Sequence, residues 1–327
     1  MYFVTGETGF LGGQLCRALV GRGDEVVALA RTKPERQHSE ACKYVSGDIL
    51  DKAGLVRSLS GCRFCFHLAG LARPWAKDPD DFYRVNVEGT RNVLDAAVLN
   101  GVEKLVYVST AGVFGPSQNS ADVLDEDSIG DVNTKTHYER SKLQAENLFK
   151  AAVEAGEING VIVNPTRVFG PGNISGSNAI TQILQRILRQ QFQILPSSNA
   201  VGNYVFIDDV VNGMIAALMR GKPGRNYILG GANIGWNELL KKMHEVSGSP
   251  ERVLQIPTML VKMIAGFDEA RAALIGRPPR ITRAFIRKYS ADYFISSERA
   301  KSELGYKPTS LEAGLLSTQR WLNELAD

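Results

Sequence analysis

Cysteine and histidine are both scarce here, with four of each in 327 residues. Four thiols cannot staple a chain of this length, so the reading is of a reduced, cytoplasmic protein. Cys62 and Cys65 do spell C-x-x-C, but no second half of a zinc site follows, and the pair leads into the apolar run "RFCFHLAG". Buried thiols are therefore expected rather than a redox pair. The histidines form no ligand-spaced cluster, so no metal is expected. No apolar run approaches the ~20 residues that cross a bilayer. The first strand pattern, "YFVT", begins at residue 2, so no signal peptide is expected. A formal charge of +3 with no dense Lys/Arg run gives no argument for nucleic acid. Internal repeats and low-complexity tracts are missing as well.

What is present is an alternation. The short runs "YFVT", "EVVALA", "KYVSGD", "FCFHLAG", "KLVYVST" and "GVIVNP" read as strands. Between them lie helical stretches, at "LGGQLCRALVGRG", around Leu55, at "DFYRVNVEGTRNVLDAAVLNG" and at "HYERSKLQAENLFKAAVEAG". Apolar strands alternating with helices imply an α/β fold built on a parallel sheet covered on both faces. Right-handed crossovers make that sheet doubly wound, of Rossmann type, with ligands beyond the carboxyl ends of its strands. The alternation fades after Pro171. Residues 1–170 are thus expected to form a dinucleotide-binding unit, with a return segment at 203–230, and 171–327 mainly a substrate-binding lobe.

"YFVTGETGFLGGQL" sets Gly6, Gly9 and Gly12 at three-residue spacing, after a strand and opening a helix. Glycine permits the tight turn and lets a pyrophosphate approach the backbone, and the helix start supplies amides and partial positive charge. Thr8, Phe10 and Leu11 belong to the same turn. Dinucleotide sites usually carry an acid at the end of the second strand; here Ala30 stands there, followed by Arg31, Lys33 and Arg36. Cations at that place suit a 2′-phosphate, so NADP is expected, with NAD the alternative. Asp48, followed by Ile49, either caps the next helix or hydrogen-bonds the adenine amino group.

Tyr138 and Lys142 of "THYERSK" stand at i and i+4, on one helix face. An ammonium nearby favours phenolate, which would make the tyrosine a usable acid/base. "KLVYVSTAGVFG" delivers Ser109 and Thr110 to the sheet's carboxyl edge, where a hydroxyl could hold a carbonyl beside that phenol.

The motifs "TGETGFLG", "FHLAG", "VNVEGTRNVLDAA", "STAGVFG", "YERSK" and "NPTRVFGPG", in this order, resemble the extended short-chain dehydrogenase/reductases. "YVFIDDVV" and "ISSERAKSELGYKP" extend the likeness nearly to the C-terminus. The resemblance implies that Tyr138 is the proton donor or acceptor, with Lys142 its activator and a holder of the nicotinamide ribose. It makes Thr110 the catalytic hydroxyl, lays Leu68, Ala69 and Gly70 along the cofactor, and sets Pro165 and Val168 beside the nicotinamide. Asn86 falls where the family supports its site, or merely packs a helix.

Three departures narrow the chemistry. Ala111 and Gly112 replace the Asp-Glu pair of nucleotide-sugar dehydratases, Gly202 and Asn203 offer no cation before Tyr204, and Arg31 suits an exchanging NADPH. "LARPWAKDPDDFYRVNVEGT" and "ALIGRPPRITRAFIRKYSADYFISSERAKSELGY" resemble the dihydroflavonol reductase, 3β-hydroxysteroid dehydrogenase-like and hopanoid-associated sugar epimerase branch. Reversible ketone/alcohol hydride transfer on a small, lipophilic or polycyclic substrate is therefore expected. The alternative is a nucleotide-sugar epimerase with bound NAD, and a third reading is a binding module without catalysis. "IPTMLVKMIAGFDEARAALIG" reads as a lobe-core helix in preference to a lid or a membrane-facing helix. Trp75 either lines the pocket or anchors a loop, and helices around 84–100 and 138–155 resemble those that pair in family homodimers.

Overall fold

The computed structural model describes all residues except 33–39, 74, 120–121, 131–134, 175–177, 251–252, 280 and 326–327. Its first half follows the alternation closely: β1 (Tyr2–Thr5), α1 (Phe10–Gly21), β2 (Val26–Ala30), β3 (Cys42–Ser46), α2 (Lys52–Leu59) and β4 (Phe64–His67). Then come α3 (Asp80–Tyr83), a π-helical turn (Arg84–Glu88), α4 (Gly89–Leu99), β5 (Lys104–Val108), α5 (His137–Glu154) and β6 (Gly160–Pro165). β2 and β6 are buried along their whole length, as strands covered on both faces must be. α5 starts where the Thr136 hydroxyl accepts from the Glu139 amide and the Glu139 carboxylate accepts from the Thr136 amide, a reciprocal cap.

The second half contributes β7 (Arg167–Phe169), α6 (Ala179–Leu188), β8 (Gln193–Ser197), β9 (Val201–Phe206), α7 (Ile207–Arg220), β10 (Asn226–Leu229) and β11 (Ala232–Gly235). It ends with α8 (Trp236–Ser247), β12 (Val253–Pro257), α9 (Thr258–Ile275), α10 (Arg283–Tyr289), α11 (Glu298–Leu304) and α12 (Leu311–Glu324). The central sheet has seven parallel strands in the order β10-β6-β5-β4-β1-β2-β3. One face buries Leu15 and Leu19 of α1 with Val210 and Met214 of α7. The opposite face buries Leu55 of α2, Val93 of α4 and Phe149 of α5.

Two expectations need correction. The return to the central sheet is made by β10, while the "NYVF" strand, β9, pairs instead with β7 and β11 in a three-stranded sheet. Nor is α9 a core helix. Its apolar residues run round the helix rather than along one stripe, so Val261, Ala265 and Ala272 are buried while Met259 is 74% and Phe267 76% exposed. No helix among the described residues is long and apolar enough to cross a membrane. All four cysteines are buried and free, as the C-x-x-C reading expects.

Candidate active site

The strand order reverses between β1 and β4, which places a crevice at their carboxyl ends. Thr5 and His67 are register partners at that point. Thr90 donates to the Asn86 carbonyl (2.6 Å), so its oxygen accepts from His67 Nε2 (3.0 Å). His67 Nδ1 then accepts from the Thr5 hydroxyl (2.8 Å), whose oxygen accepts from the Ala69 amide (3.1 Å). Burial, and secondarily the charge of Lys142, push the His67 pKa down to about 3, so the ring stays neutral and holds a single tautomer.

After Thr5 the chain turns through Gly6 at φ +79°, where a Cβ would lie 2.7 Å from the Ala69 amide nitrogen. At Gly12 a Cβ would come within 2.1 Å of the Gly6 carbonyl oxygen, so α1 is drawn hard against the turn. The N-cap of α1 is Gly9, with no side-chain cap, which leaves the helix's first amides for a ligand. This cradle fits a pyrophosphate.

A cavity of about 1130 Å³ runs from the cradle along the carboxyl edge of the sheet, larger than most single-ligand clefts. Gly6, Thr8, Gly9, Phe10, Leu11 and Gly12 line its start, with Arg31, Asp48 and Ile49 beside them. Leu68, Ala69 and Gly70 continue the wall towards Ser109, Thr110, Tyr138 and Lys142, and Pro165 and Val168 close it. Trp75 lines the cavity too. Asp48 Oδ1 accepts from the Leu50 amide (3.0 Å), which is the turn-capping role. Lys33 lies outside the described residues. Asn86 is the exception. It does not line the cavity, because its side chain is spent in packing: Oδ1 accepts from the Leu71 amide (2.7 Å) and Nδ2 donates to Ser141 Oγ (2.8 Å). It ties the loop after β4 to α5.

Thr110 is extended and caps the short turn after β5, its Oγ1 accepting from the Gly112 amide (3.2 Å). The same hydroxyl is hydrogen-bonded to Tyr138. The expectation that Lys142 draws the phenol towards neutrality is not met by the protein's own groups. Burial pushes the Tyr138 pKa up, the Glu139 charge adds to that, and only Thr110 pulls it down. The physical reason lies in where the ammonium goes. Lys142 Nζ donates to the Val108 carbonyl (2.6 Å) and sits 4.3 Å from the Tyr107 ring centroid. Burial brings the Lys142 pKa down to about 7, with Glu146 opposing the fall.

Glu146 escaped sequence reasoning, although it lies one further turn along the face that carries Lys142. Its carboxylate accepts from Asn164 Nδ2 (2.7 Å) and Asn226 Nδ2 (3.0 Å), and Asn164 also donates to the Thr110 carbonyl (3.2 Å). Single asparagines inside the apolar runs "GVIVNP" and "NYIL" were the signal. Glu139 escaped as well. A Cβ on Gly112 would lie 2.7 Å from its Oε1, so a carboxylate occupies the space at a position chosen for lacking one. Burial raises the Glu139 pKa, but the Lys288 charge at 3.0 Å and the Thr136 hydrogen bonds outweigh it, and the group is held ionised. An ionised carboxylate cannot deliver a proton to a leaving hydroxyl, so the case against dehydration survives on different grounds. Among the described residues no His/Cys/Asp/Glu group could hold a metal.

With this geometry in view, the likenesses to known proteins agree. A protein of Synechocystis sp., to which dihydroflavonol 4-reductase activity is ascribed, is 32% identical over 98% of this chain and 94% of its own length. A Stigmatella aurantiaca protein named 4-hydroxy-2-methyl-3-oxo-4-farnesyl-3,4-dihydroquinoline-1-oxide ketoreductase is 29% identical over 99% and 95%. The crystal structure of a UDP-glucose 4-epimerase from Thermotoga maritima, with UDP-glucose, superposes with a TM-score of 0.83 over 100% and 99%. At 21% identity that likeness is one of fold. The model of the NAD dependent epimerase/dehydratase family matches residues 2–230. The chain belongs to the NAD dependent epimerase/dehydratase family, the extended short-chain dehydrogenase/reductases.

Proposed function

We propose that the protein is an NADP-dependent reductase that interconverts a ketone and a secondary alcohol. The observation that carries this reading is the hydrogen-bonded Thr110–Tyr138 pair in the cavity that begins at the glycine cradle. A substrate carbonyl accepts from Thr110, and Tyr138 gives its proton to the oxygen as charge develops there. Lys142 and the phenol share one helix face, and the Glu146–Asn164–Asn226 set fixes the strand end beneath them. A nicotinamide bound beside Pro165 and Val168 supplies the hydride. Relatives named as reductases support the direction. Arg31 at the cavity edge, with Ala30 where an acid would select NAD, supports NADP. The segment beyond Pro171 faces the substrate through Ile180 and Tyr289.

The test is stoichiometric NADPH consumption with a panel of ketones, followed by absorbance. Tyr138→Phe should lower turnover by roughly 10²–10⁴-fold while dinucleotide binding persists. Interconversion of a nucleotide sugar without net loss of NADPH would establish the epimerase reading that the family's breadth allows. Equal affinity for NADH and NADPH, unchanged by Arg31→Ala, would remove the NADP assignment.

A further inference from the structure

Arg167, the first residue of β7, carries a cation that the fold sequesters without an acid beside it. Nη1 donates to the Tyr204 hydroxyl (2.9 Å) and Nη2 to the Lys288 carbonyl (2.9 Å). The guanidinium carbon lies 5.4, 4.6 and 5.3 Å from the ring centroids of Tyr204, Tyr289 and Tyr293. Two of five N–H donors are thereby used, and no carboxylate of the described residues pairs with it. Its neighbour Lys288 is neutralised by Glu139, so one uncompensated positive charge remains at this wall. Arginine removed from water is normally paired, because an isolated buried charge is costly.

The fold has made room for this group. A Cβ on Gly202 would lie 2.1 Å from Arg167 Nη1, so glycine there is what admits the guanidinium. The cation missing from positions 202 and 203 in the sequence is present in space, delivered from another strand. Arg167 lines the main cavity, and it also borders a side chamber of about 30 Å³ together with Thr110. That chamber is about the size of one water. A group held by the guanidinium is therefore only a few bonds from a carbonyl held by Thr110.

We propose that Arg167 receives the carboxylate of the substrate, and that the substrate is a 3-keto acid, or the 3-hydroxy acid in reverse. A planar fork of N–H donors matches a carboxylate, and one uncompensated charge matches a monoanion better than a diphosphate. One carbon between ketone and carboxylate satisfies the short span. The inference rests on the reductase reading for its chemistry. Hydride from the reduced dinucleotide adds to C3, the Tyr138 proton goes to the ketone oxygen, and the products are the 3-hydroxy acid and the oxidised dinucleotide.

The test compares 3-oxodecanoate with its methyl ester and with 2-nonanone, by NADPH absorbance. Wild type should favour the acid over the ester in kcat/KM by roughly 10- to 100-fold, the worth of a charge-assisted hydrogen bond. In Arg167→Gln that ratio should fall close to one, and Arg167→Lys should keep part of it. A second readout needs no turnover: calorimetric binding of 3-hydroxydecanoate with NADP present, strong in wild type and weakened in Arg167→Gln. Reduction of all three ketones with no acid preference in wild type would overturn the carboxylate site and leave the reductase reading standing. Arg167-dependent binding without turnover of any ketone would do the reverse. Arg167-dependent binding of UDP-glucose with none of 3-hydroxydecanoate would overturn the carboxylate in favour of a diphosphate.

Discussion

The β1–β6 half and the α9–α10 region are built from similarly apolar sequence, yet they use it in opposite ways. In the first half nearly every apolar residue has a strand or helix face to meet, and Phe3, Leu105 and Phe149 are wholly buried. In the second, Val261, Ala265 and Ile286 make a small cluster of their own, while Leu274 stands 88% exposed. Apolar content alone therefore says little about burial. What decides it is whether the periodicity meets a partner surface of the same pitch.

Substitutions can break the comparison. The largest effect is expected at Phe149, where Phe149→Ala opens a cavity between α5 and the sheet and should cost about 3–5 kcal/mol in denaturant unfolding. Gly12→Val should follow: the added side chain strikes the Gly6 carbonyl, and dinucleotide affinity by titration should fall more than about tenfold. Next comes a pH effect with a defined sign. The Lys142 pKa is lower in the folded protein, about 7 against an ordinary 10.5, so the unfolded chain holds the extra proton between those values. Stability should rise with pH in that window by about 1.4 kcal/mol per unit, and Lys142→Met should flatten the slope. Glu146→Gln removes the charge that opposes the fall, so the lower limit of the window should move to more acidic pH. The smallest effect belongs to the second region. Phe267→Ser on α9 should change stability by less than about 0.5 kcal/mol, and a larger loss would mean that α9 has a packed face after all.

The same contrast explains what could be read from the sequence. β1 to β6 were legible because each is a short β-branched or apolar run bounded by turns, and the cradle because three glycines follow such a run. Thr110, Tyr138 and Lys142 were legible because strand ends and helical spacing fix their positions locally. Glu139 and Arg167 were not. Each fills the space left by a glycine elsewhere in the chain, Gly112 and Gly202 respectively, and no spacing rule links those pairs. Reading a missing charge at a position as a missing charge in the site failed for that reason. Asn86 misled in the opposite direction: its place in the motif was right, but its hydrogen bonds are used up inside the scaffold.

The wide turn at Arg84–Glu88 carries one implication for how this scaffold tolerates change. A π-helical turn spends an extra residue per winding, so it acts as a phase corrector between α3 and α4. Phe82 on one side and Thr90, Val93 and Ala97 on the other all point inward only while that surplus is kept. Deleting a single residue there would rotate everything downstream by about 100°, as helical pitch dictates, and turn the inner face of α4 outward. Length, more than residue identity, is what this segment has to conserve.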